Sequence, residues 1–184
     1  MRACTSLDSA RGGKSQISEA GMVALRLIRL IETHCNEISQ NLASRIRSSV
    51  RTADMQKVSE PELIASLHEL LQHLSEWLLT KTEDDIEKRY IEMGSRRALL
   101  GVSLADSCWA VTMTKEYLWE FLQKQGFLRN PIELYGEMEL LSLLNQFFDR
   151  GLCYMVQGHE QSRHSAPQQV RKKQREFNAA AFVP

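Results

Sequence analysis

Residues 88–122, KRYIEMGSRRALLGVSLADSCWAVTMTKEYLWEFL, constrain the fold more than any other stretch. They read as a helix, a tight break at Gly101-Val102, and a second helix opened by Ser103. Glycine just past a periodic segment is a helix stop, because it takes a left-handed backbone without a Cβ penalty. Ser103 with Asp106 is a helix start, since a serine hydroxyl can accept from an amide of the first turn. The second run is amphipathic, with Leu104, Cys108, Val111, Leu118 and Leu122 on one stripe and Trp109 and Trp119 beside it.

The same three- and four-residue rhythm continues on both sides. Ala24, Ile28, Ile31, Cys35, Ile38, Leu42 and Ile46 share one face and predict a first helix over 18–50. Ser59-Glu60-Pro61-Glu62 carries a cap, a first-turn proline and the acid of a capping box. The helix it opens buries Leu63, Leu67, Leu70 or Leu71, Leu74 and Leu78. Thr82-Glu83-Asp84-Asp85 starts the next, with Ile86, Tyr90, Met93 and Arg97 near one face. Gly126 stops the helix that Ser103 begins. Asn130-Pro131-Ile132-Glu133 then opens a last helix, from Leu134 through Met155 to about residue 160. No stretch alternates with period two. The expected fold is all-α, a five-helix bundle with globin-like or four-helix-bundle-like packing. Residues 1–17 are expected to form a flexible arm, 18–160 the helical domain, and 161–184 a polar, partly basic tail.

Lysine plus arginine equals aspartate plus glutamate, at 23 each, which argues against a dedicated nucleic-acid binder. Cys4, Cys35, Cys108 and Cys153 form no C-x-x-C pair, and no secretory apolar region follows Met1. Reduced thiols and a cytoplasmic location fit that pattern. No apolar run approaches the roughly 20 residues that span a bilayer, so no membrane association is expected.

Candidate chemistry is sparse. Gly13-Lys14-Ser15 imitates the end of a P-loop but lacks its first glycine. His68 and His73 are five residues apart and do not share a helical face, and no metal is expected. His34, His68 and His73 are the available axial donors for a haem, but an ordinary hydrogen-bonded histidine accounts for each. Ser103 and Asp106 are explained by capping, Glu137 and Glu139 point to different faces, and Cys108 lies on an apolar stripe. No cofactor and no catalysis are therefore expected. The Arg96-Arg97 pair is the most informative polar feature. Arg97 can bind an anion or partner carboxylate, or form a structural ion pair, with Asp106 within reach across the Gly101 turn. Trp109, Tyr117, Trp119, Phe121, Phe147 and Phe148 fit a core or dimer interface better than a ligand box. The candidate ligand or partner contacts are Tyr90, Arg97, Trp109 and Trp119. Leu25, Leu27 and Leu30 widen the first stripe beyond a single seam, which points to a homodimer.

Tyr90, Gly94, Arg97, the turn Gly101-Val102-Ser103-Leu104 and the run Leu118-Trp119-Glu120-Phe121-Leu122 carry a resemblance across residues 63–125. The chain resembles the N-terminal domain of RsbRD-type RsbT co-antagonists, bacterial signalling proteins related to stressosome components. The resemblance implies a non-enzymatic sensory module acting on a protein partner, with a globin-like fold that holds no haem. In that family a STAS output domain usually follows. Residue 184 leaves no room for one, so a stand-alone module or an output on another chain is expected. No phosphorylation site is carried over. A small-ligand- or haem-binding globin-like sensor is the alternative.

Overall fold

Two histidines divide helices that the apolar pattern draws as continuous. The computed structural model describes residues 19–125 and 131–180, with side chains over 21–125 and 134–163. The arm at 1–17, Gly126 and Asn130 lie outside the described residues. The first predicted helix is two, α1 (Glu19–Thr33) and α2 (Cys35–Ser48). Between them His34 sits at φ −100°, ψ 15°. Its amide is shared between the carbonyls of Leu30 and Ile31, at 3.2 and 3.1 Å. Its ring Nδ1 lies 2.9 Å from the Leu30 oxygen. A side chain inserted into the helix ladder kinks it. The stripe is blind to this, because all seven of its residues stay buried across the bend.

The helix from Ser59 divides in the same way into α3 (Glu60–Gln72) and α4 (Leu74–Leu79), with His73 at φ −113°, ψ 28° between them. A 3-10 segment, Val50–Lys57, fills the connector before α3. Helices α5 (Glu83–Leu99), α6 (Leu104–Lys124) and α7 (Pro131–Ala180) complete the order. The described residues are all-helical with no strand, but the count of five is not kept: two of the expected segments are each divided in two, and a 3-10 segment lies between them. Helix α7 continues to Ala180 rather than stopping near residue 160.

The start signals act where the sequence places them. Ser59 Oγ accepts from the Glu62 amide, and Thr82 forms a full capping box with Asp85. Ser103 Oγ accepts from the Asp106 amide at 3.1 Å. The Glu62 carboxylate, expected to complete a capping box, reaches Arg96 of α5 instead.

Gly101 has φ +73°. Its amide donates to Ala98 O and the Val102 amide donates to Arg97 O, both at 3.0 Å. This is the paired bonding that closes a helix on a left-handed residue.

Two apolar clusters make the core. The larger joins all seven α-helices through residues such as Ile28, Ile38, Leu71, Leu74, Tyr90, Leu118 and Phe148. The smaller joins Leu42, Ile46, Met55, Leu63, Val102 and Met113. Tyr117 packs against both. Each fully buried Leu or Ile contributes about 1.5–3 kcal/mol.

The closest helix pair is α5 on α7, and glycine permits it. A Cβ on Gly94 would stand 2.1 Å from the Met155 carbonyl oxygen, and one on Gly158 would stand 2.1 Å from that of Ile91. Ser95 Oγ donates to Gly158 O across the contact at 3.0 Å.

Candidate functional site

With α5 drawn tightly onto α7, a cleft of about 530 Å³ opens on its other side, against α3 and the end of α4. Arg89, Met93 and Arg97 follow one another at four-residue steps along α5 and all line it. That spacing puts them on one stripe about 12 Å long. Leu63 and Ser66 of α3 face them, and Trp77 closes one end.

Ion pairs bridge the two walls. Arg89 Nη1 pairs with the Glu69 carboxylate, and its Nη2 donates to Ser66 O at 3.4 Å. Arg96 Nη1 meets Glu62 Oε1 at 3.2 Å. The Arg89 guanidinium also lies 4.7 Å from the centre of the Trp77 ring, and Lys81 Nζ lies 5.5 Å from it. These are cation–π distances. The Trp77 Nε1 and Arg89 Nε donors are buried and have no protein acceptor.

Arg97 differs from its neighbours. Its Nη1 donates to Ser107 O and to Met155 Sδ, each at 3.4 Å. Asp106, the partner expected from the sequence, is held by its own turn. It accepts from the Asp54 amide at 2.8 Å and from Ser103 Oγ. Among the described residues, no carboxylate pairs with Arg97 within 4.0 Å; the neighbouring Arg96, not Arg97, bridges to another helix. Burial lowers the Arg97 pKa to about 10, because the charged form is costly away from water. The same cause pushes the nearby Cys108 thiol up.

Beneath the cleft lies a void of about 30 Å³, and Leu63, Ser66, Arg89, Met93 and Arg97 line both spaces. The void has room for about one water.

The four candidate contacts do not converge. Arg97 lies between cleft and void, and Tyr90 lines only the void. Tyr90 is packed edge-on to Phe147 and is 1% exposed. Trp109 is on the surface, with the Arg51 guanidinium 4.5 Å from its ring centre. Trp119 is half-buried and lines neither space. Trp77 and Arg89 belong to the cleft, although the sequence argument did not single them out. The four-residue steps from Arg89 to Arg97 were the available signal.

The histidines occupy separate settings. His34 rests against Phe121, His68 Nε2 lies 3.5 Å from Cys35 Sγ, and His73 Nδ1 lies 3.3 Å from Glu76 Oε1. Among the described residues no group of three or more His, Cys, Asp or Glu side chains is placed to hold a metal ion. No described helix is long and apolar enough to cross a membrane.

No curated protein and no solved structure matches the chain. A family model does, over residues 36–172, from α2 well into α7. The matched segment contains the whole cleft, the Gly101 turn and the glycine contact between α5 and α7. The chain belongs to the family of the RsbT co-antagonist protein RsbRD N-terminal domain, a stressosome-related signalling domain.

Proposed function

We propose that this chain is a non-enzymatic signalling module that works in the cytoplasm through protein–protein contact, pairing with a second copy of itself and passing a signal through helix packing. The family is one of signalling sensors rather than of known enzymes. The observation that carries the pairing is a strip at the start of α7. Leu134, Tyr135 and Met138 are 48%, 65% and 57% exposed there. Met138 lies four residues after Leu134 and three after Tyr135, so it adjoins both on the helix surface, and exposed apolar side chains grouped in this way favour burial against a partner.

The strip replaces the first-helix stripe as the reason to expect a dimer. Leu27 is buried, and Leu25 and Leu30 pack against the chain's own core, so that helix spends its apolar width internally. Helix α7 runs from the exposed strip through the glycine contact with α5 and on past the core. A shift at one end therefore bears directly on the closest-packed helix pair.

Light scattering at micromolar concentration tests the pairing. A dimer mass is expected for the wild type, and a monomer mass for Tyr135→Glu combined with Met138→Glu. A monomer mass for the wild type rejects the dimer and this route of signalling.

A further inference from the structure

We propose that the cleft between α3 and α5 binds a small organic monocarboxylate, its carboxylate on the Arg97 guanidinium and its apolar body against Leu63 and Met93. The hydrogen bonding of Arg97 points to an acceptor. Arg97 holds only a carbonyl and a thioether, both at 3.4 Å, beyond the usual range of a strong hydrogen bond. A carboxylate can take both arms of a guanidinium in shorter, charge-assisted bonds.

Charge selects a monoanion. Five cationic and four anionic side chains line the cleft, leaving a single positive charge over. Arg89 and Arg96 already hold Glu69 and Glu62 across it, which leaves Arg97 as the deep cation without a carboxylate. A dianion such as phosphate would meet the remaining acids with little to offset them. The apolar body follows from Met93 standing midway between Arg89 and Arg97, opposite Leu63. Occupancy would pull Arg97 away from Met155 of α7 and so alter the α5–α7 contact. Carboxylate binding at Arg97 does not depend on pairing between copies.

Calorimetric titration of the full chain with hexanoate tests it, with hexan-1-ol and inorganic phosphate as comparison probes. Saturable hexanoate binding is expected, with no binding of the other two. In Arg97→Gln the affinity should fall at least about tenfold, the loss of one charge-assisted contact. Because Arg97 also bonds Ser107 and Met155 within the fold, Ala65→Trp is the second arm. Ala65 is exposed on the cleft wall, so tryptophan there fills the cleft from outside the core. It should abolish hexanoate binding while leaving the circular-dichroism melt and the scattering mass unchanged. Absence of saturable hexanoate binding in the wild type overturns the proposal. So does binding that survives in both variants, or phosphate binding in place of hexanoate.

Discussion

Gly101 and Asp54 hold the turn between α5 and α6 from opposite sides. At φ +73° only glycine is free of a Cβ penalty, and a β-branched residue is the worst replacement. Gly101→Val should destabilise the fold by more than about 1 kcal/mol, read as a lower urea midpoint with unchanged slope. An unchanged midpoint would mean that the turn tolerates an ordinary backbone. Asp54 takes a 2.6 Å contact from Lys57 Nζ and a 3.0 Å bond from the Ser103 amide. The Lys57 hydrogen bond, then that amide, hold its carboxyl below the usual carboxylate value. A carboxylate lowered on folding adds stability that is present above its unfolded pKa, near 3.8, and lost as pH falls through the folded value. Asp54→Asn should therefore lower the urea midpoint at pH 7 and narrow the gap between the midpoints at pH 7 and pH 3. An identical gap in both proteins would remove Asp54 from the acid response.

At the scale of elements, the α5–α7 pair has the least tolerance. Neither Gly94 nor Gly158 has a positive φ, so what restricts them is space and not backbone conformation. A methyl group 2.1 Å from a backbone oxygen cannot be relieved by a rotamer change, so the helices must part. Gly94→Ala and Gly158→Ala should each cost about 2 kcal/mol or more, although alanine is the better helix former at an ordinary position. A raised melting temperature in either variant would refute the close contact. The kinks at His34 and His73 show the reverse situation. Helical propensity and the apolar stripe both continue through them, and the break depends on how a ring and an amide compete for carbonyls one turn back. Such competition leaves no trace in hydropathy.

Across the whole molecule, the two apolar clusters share Tyr117 and are crossed by α2, α3 and α6, so they should unfold together. Trp77 belongs to the larger cluster, and Trp109 lies on α6 between Ala110 of the smaller and Cys108 beside the larger. Single-tryptophan variants retaining one or the other should give urea midpoints that coincide with the far-ultraviolet circular-dichroism transition. Separated midpoints would divide the chain into independent units.

The all-helical class, the capped starts at Ser59, Thr82 and Ser103, the Gly101 stop and the buried stripes follow from the sequence alone. Each depends on a residue and its neighbours within a turn or two, where periodicity and capping chemistry act. The family, too, was legible in Tyr90, Gly94, Arg97 and the Gly101 turn. Tertiary structure alone decided the partners. It gave Glu62 to Arg96 rather than to its own cap, gave Asp106 to Asp54 and Ser103, and left Arg97 without a carboxylate. It also turned Gly94 and Gly158 into a helix contact and set α3 apart from α5 by a cleft. These outcomes depend on distances between segments remote along the chain, which composition and spacing do not encode.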